Sequence, residues 1–167
     1  EIIIFSFDNL TIFDEKLKLI NETYAGIIQG QPAIYNFDND SFKEIMFISN
    51  ILNEAYFFAY EFDGTNFIQE FNLTINNGAI GSGIKCTDAK TIDLCIFIDN
   101  SNYIHLINMN SKSEETFRIS ENKDTNERMP AIADLHDDGG KQAVFWLDNN
   151  SNNQYGLVSF DLANKTL

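Results

Sequence analysis

The sequence predicts an all-β fold made of repeated four-stranded sheets. Three observations lead to this prediction: short apolar segments recur at a fixed period, the stretches between them are rich in Asn and Asp, and the 167 residues include only two prolines and nine glycines. Asn and Asp favour turns, and short apolar runs bounded by turns are typical of strands. Helices are therefore not expected to dominate.

The composition describes a chain that folds and carries a strong negative charge. Hydrophobic residues make up 44% and aromatic residues 13%, which is enough for a core. The 25 acidic and 11 basic side chains give a formal net charge of -14. Such a surface repels phosphate backbones and anionic lipids, so we expect no nucleic-acid partner. No apolar stretch approaches the roughly 20 residues that span a bilayer, so we expect no membrane insertion by this segment.

The repeat itself is visible in three segments, each of which joins an acidic or amide residue to an apolar strand and an Asn turn. They occupy residues 44–50, 93–100 and 142–149, and their first residues lie 49 positions apart. Pro32 and Pro130 also match across two periods. A period of 20 to 50 residues indicates a repeat architecture, with one supersecondary unit per period.

Each unit continues with an aromatic-rich strand, a polar turn and a further strand, which gives about four strands per period. Four short antiparallel strands per unit are the blade of a β-propeller. The opening segment, residues 2–9, resembles the third strand of the unit, and the last strand of the chain is also a third strand. We therefore predict an all-β propeller segment of about three and a half four-stranded blades.

The predicted blades belong to one β-propeller domain. Residues 1–29 would form two closing strands of a preceding blade, residues 30–78 and 79–127 two full blades, and residues 128–167 most of another. Closed propellers usually contain about four to eight blades. We therefore expect the remaining blades to come from the same precursor or from another chain.

The loop between the first two strands of the 30–78 blade has oxygen-bearing side chains at its positions one, three, five and nine. Calcium takes six to eight oxygen ligands, and alternating carboxylates and amides with a backbone carbonyl can supply them. The candidate ligands are Asn36, Asp38, Asp40, the carbonyl of Phe42, and Glu44.

The corresponding loop of the last blade is a weaker candidate. Its ligands in register are Asp134, Asp138, the carbonyl of Gly140, and Gln142. His136 occupies one ligand position and neutral Gln142 replaces an acid, so calcium binding here is expected to be weaker or absent. The loop of the middle blade has Thr87, Ala89 and Thr91 at these positions and is predicted to be metal-free.

These two loops resemble those of the FG-GAP repeat family, which includes the propeller blades of integrin α-subunits and ectodomains similar to T-cell immunomodulatory protein. Residues 32–40 and 130–139 carry the resemblance, with an apolar strand followed by Asp or Asn at alternate positions. The resemblance implies an extracellular or cell-surface, calcium-stabilised propeller that acts in adhesion or protein binding and is not an enzyme.

Two alternative functions remain open from the sequence. The first is a structural subunit of an extracellular filament or coat assembled through propeller blades from further copies of itself. The second is a carbohydrate-binding or carbohydrate-active protein with FG-GAP-like repeats. No catalytic residues are assigned, because His105 and His136 lie in no recognisable catalytic spacing.

Two further features bear on the compartment. Among the Asn-x-Ser/Thr sequons, the candidate glycosylation sites are Asn21, Asn39, Asn72, Asn149 and Asn164. Cys86 and Cys95 lie on the first two strands of the middle blade, where they could form a disulfide that replaces the ion as a clamp, or remain as two small buried residues. A disulfide would indicate an oxidising compartment.

Overall fold

A computed structural model describes residues 2–6, 8–38, 40–75, 82–89, 92–119, 130–137, 139–149 and 154–167. Within these ranges the chain forms fourteen β-strands in four separate antiparallel sheets. The second blade contains β4 (Ile27–Tyr35), β5 (Glu44–Ile51), β6 (Glu54–Phe62) and β7 (Phe67–Ile75). The third blade contains β8 (Lys85–Ala89), β9 (Ile92–Ile98), β10 (Tyr103–Asn108) and β11 (Ser113–Arg118). No helix among the described residues could cross a membrane.

The first and fourth blades have three described strands each. The first contains β1 (Ile2–Phe5), β2 (Asn9–Phe13) and β3 (Leu19–Tyr24), and the fourth contains β12 (Ala131–Ala133), β13 (Gln142–Asn149) and β14 (Gln154–Asp161). The strands of every sheet pair in sequence order. The predicted fold class, an all-β segment of about three and a half four-stranded blades, is confirmed.

The first blade corrects one detail of the prediction. Residues 1–29 were expected to supply two closing strands, with the opening segment in the third position. The structure has three strands before Ile27. Because β4 begins the next blade, β3 is the fourth strand of the first blade, and β2, which pairs with β3, is its third strand. The opening segment, β1, is therefore a second strand. Its apolar run Ile2–Phe5 resembles a third strand because second and third strands of the repeat both contain short apolar runs.

The four sheets are arranged as neighbouring propeller blades. Between the second, third and fourth blades, first strand contacts first strand: β4 contacts β8, and β8 contacts β12. Fourth strands also meet, since β3 contacts β7 and β7 contacts β11. Sheets whose corresponding strands face each other in this way radiate from a common axis. The first strands are then innermost and the fourth strands outermost.

A separate hydrophobic core fills each interface between blades. Phe47 and Phe58 pack with Leu10 between the first and second blades. Phe57 and Phe97 stack between the second and third blades, with ring centroids 6.5 Å apart. The third interface, between the third and fourth blades, has its own buried set, which includes Leu106, Phe145 and Phe160. Central strands such as β5 and β9 are buried on both faces, which explains their continuous apolar sequences.

The second and third blades approach each other closely at Gly30. Its φ of 67° lies in the left-handed region, and a Cβ placed there would lie 2.1 Å from the carbonyl oxygen of Ser82 in the next blade. The neighbouring amide of Ile84 donates to the carbonyl of Gln31 at 2.8 Å. Only glycine combines this backbone conformation with so close a contact between blades.

Candidate metal site

Four carboxylates converge where β5 begins and β6 ends. Asp38 and Asp40 come from the loop before β5, Glu44 is the first residue of β5, and Glu61 lies near the end of β6. One oxygen from each carboxylate lies within 4.8 Å of the others. Glu44 and Glu61 are directly opposite each other in the antiparallel register, so their side chains share one face of the sheet.

Glu44 is the most buried member of the cluster, with none of its surface exposed. Its Oε2 accepts a hydrogen bond from the backbone amide of Phe37 at 2.9 Å, while the buried Oε1 has no hydrogen-bond partner among the described residues. Burial raises the pKa of Glu44 to about 7; the bond from Phe37 opposes this rise, and the charge of Asp38 adds to it. A buried carboxylate oxygen without a partner is costly, and a bound cation would satisfy it.

Glu61 adds a fourth carboxylate that the linear motif did not identify. Only 8% of its surface is exposed. Burial, a hydrogen bond with Asp40 and the Asp40 charge all raise the pKa of Glu61. Two carboxylates in contact repel unless a proton or a cation lies between them. The available signal in the sequence was an acidic residue inside the apolar run of β6, seventeen positions after Glu44.

Two other predicted ligands, Asn36 and the Phe42 carbonyl, take part in hydrogen bonds within the loop. The Asn36 side-chain amide donates to the carbonyls of Asp40 and Phe42, at 2.8 Å and 2.9 Å. The Phe42 carbonyl therefore accepts a bond from Asn36, and this bond helps to hold the loop in shape. Asp38 and Asp40 accept bonds from backbone amides two residues ahead, at 3.1 Å and 2.6 Å. These turns shape the loop and leave further carboxylate oxygen lone pairs for a ligand.

The loop of the fourth blade is largely satisfied by its own backbone. The two oxygens of Asp134 accept bonds from the amides of His136 and Gly139, at 3.2 Å and 2.7 Å. Gln142 is buried, and its Oε1 accepts a bond from the amide of Leu135 at 2.7 Å. Asp138 lies outside the described residues, and Gly140 is buried beside this turn. Within the described part of this loop, no group of acidic side chains converges as in the second blade.

In the third blade, the region that corresponds to the carboxylate cluster contains a disulfide and a hydrogen bond to the preceding blade. Cys86 and Cys95 are directly opposite each other on β8 and β9, and a disulfide joins them. Asp93, the counterpart of Glu44, accepts a hydrogen bond from the Tyr35 hydroxyl of the preceding blade at 2.6 Å. Burial and this bond raise the pKa of Tyr35. The acid of the third blade thus forms a contact between blades.

The candidate glycosylation sites differ in their surroundings. Asn72 is exposed on the outer strand β7. Asn21 instead donates its side-chain amide to the carbonyl of Thr65 in the next blade at 2.7 Å, so the nitrogen that would carry a glycan already forms a contact between blades. Asn164 is exposed and donates to Asp161 at 3.0 Å. Asn39 lies outside the described residues, and Asn149 ends β13, where its side chain is not described.

His105 is fully buried on β10 between two carboxylates. Its Nδ1 lies 2.6 Å from Glu114, its Nε2 lies 3.2 Å from Asp99, and its ring stacks on Phe97. Burial lowers the pKa of His105, but the hydrogen bonds and charges of Asp99 and Glu114 outweigh it, so the pKa is raised. This arrangement crosslinks the outer strands and the turn of the third blade.

Comparisons with known proteins identify a structural similarity but do not assign the chain to a family. No protein-family model matches the chain, and no curated protein matches it. The WD40 domain of SCAP from fission yeast is similar in structure, with 13% sequence identity and a TM-score of 0.45 over 96% of this chain. The chain spans 39% of the length of that protein chain. The strand order and the contacts between blades identify the chain as a β-propeller segment. A fold alone does not assign a function.

Proposed function

We propose that this chain is part of a calcium-stabilised β-propeller that serves as a protein-binding or adhesion module outside the cell, in the manner of FG-GAP ectodomains. The observation that carries the proposal is the buried Oε1 of Glu44, which faces three further carboxylates and lacks a hydrogen-bond partner among the described residues. An ion in this position would offset much of the negative charge of the cluster. It would also join the loop of Asp38 and Asp40 to two neighbouring strands.

Calcium fits the donor set better than the other common ions. The cluster offers carboxylate oxygens without thiolate or imidazole, which favours a hard cation. Asp38 and Asp40 come from an irregular loop, and calcium tolerates the variable geometry that such a loop provides, whereas magnesium requires near-ideal octahedral geometry. Asp38, Asp40, Glu44 and Glu61 would hold the ion.

Two features support a location outside the cell. The disulfide between Cys86 and Cys95 is of the kind that persists in oxidising compartments. A sequon is exposed at Asn72 on the outer strand of a blade. The proposal assigns no catalytic role, and it places recognition of a protein partner on the propeller surface, as repeat folds with extended surfaces commonly do.

Calcium titration of the full chain tests the proposal, with isothermal calorimetry for binding and thermal unfolding for stability. The purified protein is first treated with a chelator, and calcium and magnesium are then titrated separately. We expect calcium to bind in a ratio of about one ion per chain and to raise the melting temperature by several degrees, since a ligand that binds only the folded state stabilises it.

Two variants and one control locate the site. Asp40→Asn and Glu61→Gln should each weaken calcium binding about tenfold or more, because each replaces a charged ligand by a neutral one. Glu15→Gln changes an exposed acid in the first blade and should leave binding unchanged. A protein that gains no stability from calcium, or whose response survives both substitutions in the cluster, would contradict the proposal.

A further inference from the structure

A pocket lies between the third and fourth blades, away from the carboxylate cluster. It has a volume of about 180 Å³. Leu94 and Leu106 of the third blade and Leu162 of the fourth form its apolar floor, each with 6% or less of its surface exposed. A pocket of this size suits a small ligand, because drug-sized ligands occupy roughly 300–1,000 Å³.

Opposite charges stand at the rim of this pocket. Glu115 on β11 and Lys165 in the turn after β14 both line it. The Lys165 ammonium donates to the two oxygens of Glu115 at 2.5 Å and 2.7 Å. The side chain of Glu115 is 49% exposed and that of Lys165 is 43% exposed. An ion pair this exposed contributes roughly 0–1 kcal/mol, so a ligand that replaces each partner loses little.

Asn108 provides a third polar group at the rim. Its Oδ1 accepts a hydrogen bond from the amide of Ser111 at 3.0 Å, which fixes the orientation of the side chain. The amide NH₂ is the opposite end of the same group and can donate to a carboxylate. The rim therefore offers two cationic or neutral donors and one anionic acceptor above an apolar floor.

We propose that this pocket binds a free aliphatic amino acid. The ligand ammonium would pair with Glu115, its carboxylate with Lys165 and Asn108, and its side chain would contact the leucine floor. A purely apolar ligand would contact the leucine floor and leave the ion pair intact, without using any of the polar groups at the rim. A ligand with a single charge would separate Lys165 from Glu115 and pair with only one of them. Only a zwitterion with an apolar side chain complements all three parts.

Three probes of one carbon skeleton test the proposal on the full chain. L-leucine has both charges, 4-methylpentanoate has only the carboxylate, and isopentylamine has only the ammonium. Binding is followed by chemical-shift changes of amides on β9 and β10 during titration. We expect leucine to bind about tenfold more tightly than either analogue, because each charged contact adds a charge-assisted hydrogen bond.

Matched variants separate the two charges. Glu115→Gln should weaken binding of leucine and isopentylamine but not of 4-methylpentanoate, and Lys165→Gln should weaken leucine and 4-methylpentanoate but not isopentylamine. Lys43→Gln, which changes a cation on the second blade, should alter none of them. The proposal is overturned if leucine does not bind, if all three probes bind equally, or if the two variants leave the order of affinities unchanged. Because calcium is not required, these results are independent of the carboxylate cluster.

Discussion

Glu44 and Gln142 occupy the same place in two blades, two periods apart. The Glu44 side chain accepts a hydrogen bond from the amide of Phe37 at 2.9 Å. The Gln142 side chain accepts the equivalent bond from Leu135 at 2.7 Å. Both side chains are buried. The bond that closes the loop is therefore kept in both blades, and the charge is present in only one of them.

This relationship predicts the effect of Glu44→Gln. The amide keeps the bond from Phe37 and removes a buried charge whose second oxygen lacks a partner among the described residues. Without calcium, and above pH 7 where the Glu44 carboxylate is charged, the variant should be more stable than the parent protein by about 1–3 kcal/mol, the usual cost of such a buried group. The stabilisation by calcium should be lost. Urea unfolding with a chelator and with excess calcium measures both effects.

Gln142→Glu provides the reverse substitution as a control. It places a carboxylate in the same geometry but next to Asp134, whose oxygens already accept bonds from two backbone amides. We expect this variant to be destabilised and to gain little from calcium. If Glu44→Gln destabilised the chelated protein and still responded to calcium, the carboxylate cluster would not be an ion site.

The sequence predicted the repeat well because the spacing of residues determines it. The 49-residue period places Glu44, Asp93 and Gln142 at equivalent positions, and each is the first or second residue of a second strand. The phase of the first blade was wrong by one strand, because a short apolar run such as residues 2–5 occurs in both the second and the third strands of the repeat. Residue spacing does not show which of these two strands such a run forms.

The composition of the site was harder to predict than its position. The spacing identified Asp38, Asp40 and Glu44, but Glu61 joins them only through the antiparallel register of β5 and β6. The role of Asn36 depended on the direction of its amide, which donates to carbonyls within the loop. Linear motifs report spacing along one segment, and contacts across strands and hydrogen-bond directions require the folded chain.

His105 predicts a pH-dependent stability. Because both ring nitrogens face carboxylates, Asp99 and Glu114, the ring satisfies both only when it carries two protons. Its pKa in the folded protein is raised above the usual value of about 6.5. This contribution to stability is fully present below about pH 6.5 and is lost as the pH rises through the folded pKa.

Nitrogen NMR of the imidazole measures this directly. The chain has two histidines, and His136→Ala removes the exposed one, so that every signal belongs to His105. We expect both ring nitrogens to remain protonated above the usual pKa of about 6.5, and the free energy of unfolding to fall as the pH rises through the folded pKa. A neutral ring at pH 6, with one proton, would contradict the ion-pair arrangement.

Gly30→Ala should be strongly destabilising. The left-handed backbone conformation alone costs about 1–3 kcal/mol for a non-glycine residue. The new Cβ would also lie 2.1 Å from the Ser82 carbonyl, so the inner strands of two blades would have to separate. Gly64→Ala is the matched control, since Gly64 has a φ of 92° and no atom within 4 Å of an added Cβ. Equal losses in urea unfolding for the two variants would show that the contact between blades contributes nothing.

The disulfide of the third blade should contribute measurably to stability even though it joins strands that already pair. Its loop is short, with a sequence separation of 9, and a loop of this length corresponds to about 2–3 kcal/mol in the chain-entropy description. Cys86→Ala combined with Cys95→Val removes the bridge and places in the buried position the residue found at its counterpart, Val144. The variant should unfold at lower urea concentration than the oxidised parent and should be insensitive to reductant. A reductant should lower the stability of the parent to about that of the variant. If reduction left the parent unchanged, the two sulfurs would act only as small buried side chains in the core between the second and third blades.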